Sequence, residues 1–198
     1  PAPEKETGKS VAVIGAGPSG LTAAFYLRRA GHIVTIYDRM EKSGGVLRYG
    51  IPHYRLPKNI VDRVETALTA MGVEFRMNTE IGRDVAIENI VERYDKVYLA
   101  TGAWKQPVIG LGGEELTEFG LNFLVEDNTY LQKAIGNDVL VCGGGNVAMD
   151  VALTAKRLGA KTVKLVCRKR KEDLSASPEE LARVIEEGVE IYDCRGLR

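Results

Sequence analysis

Residues 11–31 read VAVIGAGPSGLTAAFYLRRAG and residues 139–159 read VLVCGGGNVAMDVALTAKRLG, one pattern written twice at an offset of 128 residues. Gly15, Gly17, Gly20 and Gly31 fall on Gly143, Gly145, Ala148 and Gly159. Each passage opens with a short apolar run that reads as a buried strand, turns through glycines, and continues with helical periodicity to a closing glycine. Each is followed by another strand, residues 33–37 in the first copy and 162–167 in the second. A lone GxGxxG is weak evidence, because glycines punctuate many turns. Two copies, each set between a strand and a helix, carry much more. The first glycine allows a tight turn, the second lets backbone approach a pyrophosphate, and the third position must be small for the helix to pack on the strand. The helix N-terminus then offers free N–H groups and a positive dipole end to phosphate. The spacing therefore predicts two dinucleotide sites.

The copies differ where ribose is read. The first ends its second strand at Asp38, followed by Arg39; a carboxylate there accepts hydrogen bonds from ribose hydroxyls. One extra residue after Gly159 brings Cys167 opposite Asp38, followed by Arg168, Lys169, Arg170 and Lys171. A carboxylate repels a 2′-phosphate, whereas an arginine grips it with paired hydrogen bonds. The second site is expected to prefer NADP(H) over NAD(H), with Arg168 and Lys169 on the phosphate.

Outward from these turns, strands alternate with helices. Helical stripes run through Ile60, Val64, Leu68 and Met71 and over residues 87–93. Strands are expected at 73–77 and 96–100, a helix over 178–187 and a strand over 189–192. The residues between the second strand and the 60–71 stripe read as a loop. This alternation predicts an α/β protein of two Rossmann-like dinucleotide-binding domains with parallel sheets. Residues 1–9 read as a linker, 10–112 as the first domain, 113–137 as a connecting segment and 138–198 as the second domain, with 110–113 as the crossing.

Composition bounds the rest. In 198 residues, 27 basic side chains balance 27 acidic ones, so no net field draws the chain onto nucleic acid or an anionic membrane. No apolar run approaches the roughly 20 residues of a membrane helix. Cys142, Cys167 and Cys194 are an odd, widely spaced set, which argues against a disulfide framework or cysteine metal site and fits a reducing cytoplasm. His32 and His53 lack partners at ligand spacing, so no metal is expected.

GAGPSG at 15–20, GGVLRYGIPHYRLPK at 44–58, LATGA at 99–103 and GGGNVAMD at 143–150 occur in this order. Together they resemble the small (beta) subunit family of bacterial glutamate synthase. Relatives of that family include the NADPH–FAD region of dihydropyrimidine dehydrogenase and NADPH-dependent ferredoxin oxidoreductases. The resemblance implies FAD in the first site and NADPH in the second. Gly15, Ala16, Gly17, Pro18, Ser19 and Gly20 would then cradle the FAD pyrophosphate, with Asp38 and Arg39 at the adenosine ribose. Gly45, Val46 and Leu47 would run beside the flavin cofactor, Arg55 would contact it, and Thr101 and Gly102 would close the site. Gly144, Gly145, Asn146 and Val147 would meet the NADPH pyrophosphate.

The implied chemistry is hydride transfer from NADPH to FAD and electron delivery to an iron–sulfur domain or subunit. Cofactors carry such chemistry, so no catalytic side chain is assigned. The resemblance also implies a cysteine-rich N-terminal domain and a returning C-terminal segment, neither of which this sequence contains. The chain thus reads as part of a longer design, with weak or absent FAD retention by itself and apolar surface available for self-association. The alternative class is a non-catalytic dinucleotide-binding or assembly module. A single-cofactor dehydrogenase leaves the 44–58 segment and one fingerprint without a role.

Overall fold

The computed structural model of the chain describes residues 5–130 and 134–196. The chain forms two compact units that divide between Ala103 and Trp104.

The first unit is a four-stranded parallel sheet in the order β3-β2-β1-β4. Its strands are β1 (Ser10–Ile14), β2 (Ile33–Tyr37), β3 (Glu74–Arg76) and β4 (Lys96–Leu99). Helix α1 (Pro18–Arg29) links β1 to β2. Its start suits Pro18, because a first-turn N–H has no helical partner to lose, and its last turn carries Arg28 and Arg29 at the negative dipole end. Alternate residues of β1 face opposite ways. Val13 packs with Leu21, Val34, Ile36, Leu68 and Val73 on one side, and Ala12 packs with Tyr37 and Ile90 on the other. Helix α3 (Lys58–Ala70) contributes to the first core and α4 (Ile87–Arg93) to the second, so both faces of the sheet are partly covered.

Two features depart from the sequence expectation. The expected loop contains one helical turn, α2 (Val46–Tyr49). Four residues cannot nucleate a helix on local propensity, so tertiary contacts must hold it. The α3 stripe is also rotated: Val61 and Leu68 are buried, whereas Ile60 and Val64 are exposed within this unit. Val61 fills the space beneath Gly44, where a Cβ would lie 2.6 Å from its Cγ1.

The second unit is a parallel sheet in the order β5-β6-β7, formed by β5 (Asp138–Cys142), β6 (Thr162–Val166) and β7 (Glu190–Tyr192). Helices α6 (Asn146–Arg157) and α7 (Pro178–Glu186) link them in turn. Met149, Leu153, Val163, Leu165 and Val184 form the core. Ser177 caps α7 by accepting from the Glu180 amide, with Pro178 in the first turn. Helix α5 (Gly120–Tyr130) lies inside the segment expected as a connection, and its Phe123 and Leu124 belong to this core. Its glycine start and mixed polarity give a weak helical pattern, which is why periodicity alone did not reveal it.

Candidate functional site

The two glycine turns have the same internal geometry. In the first unit the Gly15 amide donates to Tyr37 O at 2.7 Å, and in the second the Gly143 amide donates to Val166 O at 2.9 Å. The next residue also corresponds. The Asp38 amide donates to Arg76 O at 3.1 Å and the Cys167 amide to Tyr192 O at 3.0 Å. These bonds make Gly15 equivalent to Gly143 and Asp38 equivalent to Cys167. Each turn sits at the carboxyl ends of its strands, where open α/β sheets bind ligands.

In the first turn, Gly15 has φ +111° and a Cβ there would lie 2.2 Å from Ala100 O, so no side chain fits between β1 and the end of β4. A Cβ on Gly20 would lie 1.8 Å from Gly15 O, because the start of α1 packs directly on the turn. Gly17 is more open. Pro18 and Ser19 are exposed and Ala16 is buried. Among the described residues, no acceptor takes the Ser19 or Gly20 amide, which leaves first-turn donors available to an anion. This cradle fits a pyrophosphate. Asp38 is fixed by the backbone, its Oδ2 accepting from the Ala16 amide at 2.6 Å and its Oδ1 from the Met40 amide at 2.8 Å. A carboxylate has about four acceptor directions, so the same oxygens can also take ribose hydroxyls. Arg39, Thr101 and Gly102 are exposed; the last two lie just beyond β4, with the Thr101 nitrogen close to Gly15.

The 43–51 segment lies against this turn. The Gly44 amide donates to Ala16 O at 2.8 Å, and a Cβ on Gly45 would stand 2.8 Å from Gly17 Cα. Gly45 has φ +51°, a left-handed conformation that suits glycine. Val46 and Leu47 begin α2, with Val46 exposed and Leu47 half-buried. Arg55 is half-buried in the following turn, where its amide donates to Pro52 O at 3.0 Å. The structure therefore brings together Gly15 to Gly20, Asp38, Gly45 and the 101–102 turn.

Sequence reading passed over the side chains that hold this segment. Arg48 is buried; its Nε donates to Ser43 O at 2.6 Å and its Nη2 pairs with Asp62. Lys58 Nζ donates to Leu47 O at 3.0 Å and to Ile51 O. Burial, with the Arg48 charge nearby, pushes the Lys58 ammonium down to about 8. Lys58 stood in the quoted segment, but a lysine opening a helix gives no sequence signal of an inward role.

In the second turn, Ala148 occupies the small position and is buried. Gly144 and Gly145 are half-buried, while Asn146 and Val147 open α6 and are exposed. Among the described residues, the Asn146 and Val147 amides meet no acceptor, so this turn also fits an anion. Arg168 and Lys169 are exposed just past β6, and among the described residues neither forms an ion pair. Cys167 is buried, and burial with Asp193 nearby pushes its thiol up, which keeps it protonated and packed rather than reactive. Leu174 and Ser175 were not anticipated. A Cβ on Gly144 would meet Leu174 Cδ2 at 2.5 Å and one on Gly145 would meet Ser175 Oγ at 3.4 Å, so this loop lies over the turn.

Among the described residues there is no cluster that could hold a metal ion, and no helix is long and apolar enough to cross a membrane. The three cysteines are unpaired by disulfides.

Two strand–turn–helix units with glycine fingerprints define a protein of the dinucleotide-binding class. The chain belongs to the pyridine nucleotide-disulphide oxidoreductase family, which matches it over residues 9–192 and whose members bind FAD and a pyridine nucleotide. Within that family it is 38% identical over 199 residues to the glutamate synthase [NADPH] small chain of Escherichia coli, covering 94% of this chain and 42% of that one. It is 40% identical over 188 residues to the beta subunit of NADP(+)-dependent formate dehydrogenase from Moorella thermoacetica, covering 92% of this chain and 27% of that subunit. The chain thus spans less than half the length of these relatives. Mycobacterium tuberculosis FprA in complex with NADPH shares the fold, with a TM-score of 0.75 at 21% identity over 91% of this chain and 48% of that one.

Proposed function

We propose that this chain is the NADPH- and FAD-binding part of an electron-input oxidoreductase, with FAD in the first unit and NADP(H) in the second. The observation that carries the assignment is the pair of matched turns with unmatched ribose positions: Asp38 in one, Cys167 followed by Arg168 and Lys169 in the other. In the first unit the Ser19 and Gly20 amides take the FAD pyrophosphate and Asp38 takes the adenosine ribose. Arg39, Gly45, Val46, Leu47, Arg55, Thr101 and Gly102 border the rest of the cofactor. In the second, the turn at Gly144, Gly145, Asn146 and Val147 takes the NADPH pyrophosphate, and Arg168 and Lys169 hold the 2′-phosphate.

Bound FAD supplies a centre that accepts hydride from NADPH and passes electrons to an iron–sulfur partner. The chain's own groups bind and orient, and no acid–base side chain is required. An iron–sulfur acceptor is supported by the likeness to subunits of multi-component enzymes.

The test is the absorption spectrum of the purified chain after reconstitution with FAD. Flavin bands that bleach on adding NADPH, and respond far less to NADH, are expected. Absence of bound flavin at saturating FAD, or equal response to both nucleotides, overturns the assignment.

A further inference from the structure

Helix α3 carries a polar stripe, Lys58, Asp62 and Glu65, at i, i+4 and i+7, and all three side chains grip the segment that rests on the first nucleotide turn. Glu65 accepts from Ser43 Oγ at 2.6 Å, Asp62 pairs with Arg48, and Lys58 donates to the carbonyls of Leu47 and Ile51. Ser43 and Arg48 are buried at their ends of these ties, while Lys58 and Glu65 are half-buried and Asp62 stands at the surface. At its other end the segment meets the turn through Gly44 and Gly45. A one-turn helix has too few internal bonds to stand alone, so the position of Gly45 to Leu47 depends on this grip.

We propose that Lys58 is a positioning residue for the flavin site, holding α2 so that Gly45, Val46 and Leu47 meet the cofactor in a preset arrangement. Lys58 is poorly placed for stability alone. It occupies the first residue of α3, where the helix dipole disfavours a cation, and Arg48 adds like charge beside it. Among the described residues, the groups that bond the ammonium are the two carbonyls. A local arrangement that opposes stability and orders a binding segment is the pattern expected of a functional position. The inference rests on the FAD assignment above and adds to it the residue that pre-organises the site.

The experiment compares wild type, Lys58→Met and Lys58→Gln in the full chain. Backbone exchange is measured without cofactor, FAD affinity by titration, and melting temperature alongside. In Lys58→Met the amides of residues 47–51, which close α2, are expected to exchange about tenfold faster, and the dissociation constant for FAD to rise about tenfold. The melting temperature is expected not to fall, because a half-buried cation leaves together with its bonds. Lys58→Gln, which keeps a donor, should lie between.

Unchanged exchange at 47–51, or unchanged FAD affinity, overturns the proposal. So does a loss of affinity that tracks a loss of melting temperature, or unfolding of both variants, since either makes Lys58 merely structural. A wild-type chain that takes up no FAD overturns the assignment on which the inference rests. That failure is told apart because the exchange comparison needs no cofactor.

Discussion

Replacing Gly20 with alanine sets two opposed effects against each other. Gly20 lies in the first turn of α1, so alanine should favour the helix by about 1 kcal/mol. The added methyl, however, would stand 1.8 Å from Gly15 O and 3.2 Å from Val13 Cγ1. The first contact is with backbone, and Gly15 is itself pinned between Tyr37 O and Ala100 O. No side-chain rotation relieves it, so α1 must move off the turn by roughly 2 Å to reach ordinary contact distance. Overpacking of this kind costs about 3 kcal/mol at the upper end of its usual range, leaving a net loss near 2 kcal/mol. For a unit of this size that lowers the melting temperature by about 10 °C. The displacement also pulls the Ser19 and Gly20 amides out of the cradle, so FAD binding should fall further than stability alone explains. Thermal melting followed by circular dichroism, with FAD titration well below the new midpoint, reads both effects. A variant as stable as wild type that binds FAD equally well would show that propensity wins and that close packing at this turn was misread.

Arg168→Ala should weaken NADPH binding by about ten- to a hundredfold while leaving NADH binding near its wild-type value, measured by titration of each nucleotide; equal losses for both refute the 2′-phosphate role. Gly45→Ala places a side chain on a φ of +51° and within 2.8 Å of Gly17 Cα, so FAD affinity should drop while NADPH binding persists, an outcome checked by paired titrations. Asp95 is held down to about 2 by the Ser10 amide and hydroxyl and by the Lys9 ammonium. A depressed carboxyl stabilises the fold above its unfolded value, and that contribution is lost as pH falls through the folded one. Asp95→Asn should therefore melt lower than wild type at neutral pH, the gap closing between about pH 4 and pH 2; a gap independent of pH refutes the linkage.

The glycine turns were legible in the sequence because their requirements are local. Gly15 must accept a positive φ, and the small position must clear a carbonyl within five residues, so the spacing records the geometry directly. The parallel sheets followed from the same alternation. What stayed hidden depends on partners distant in the chain. Ile60 and Val64 satisfy helical periodicity as well as Val61 does, and only the packing of Val61 beneath Gly44 decides which side turns inward. Helix α2 has no periodicity to read in four residues, and is set by Lys58, Asp62 and Glu65 from the next helix. Leu174 lies 30 residues beyond Gly144, in a loop whose composition suggests only solvent exposure.

The equivalence of Asp38 and Cys167 bears on how, in the proposed assignment, one turn design serves two nucleotides. In both units the strand ends with the same backbone bonds, so the glycines fix where a pyrophosphate would lie without choosing the nucleotide. In the proposed assignment, choice falls to the side chain that follows. Asp38 ties back to Ala16 through its carboxylate, which fixes negative charge beside the turn and suits free ribose hydroxyls. Cys167 occupies that place with a buried, protonated thiol, its Cβ 3.4 Å from where a Gly144 Cβ would lie. It contributes volume and no charge of its own, so the position equivalent to Asp38 sets no acid against the exposed guanidinium and ammonium of Arg168 and Lys169 that come next, although Asp193 lies near the thiol. Removing an acid is therefore as much a part of the proposed NADP(H) preference as adding the bases. An acid restored at position 167 would set a carboxylate against the 2′-phosphate even with both basic side chains intact.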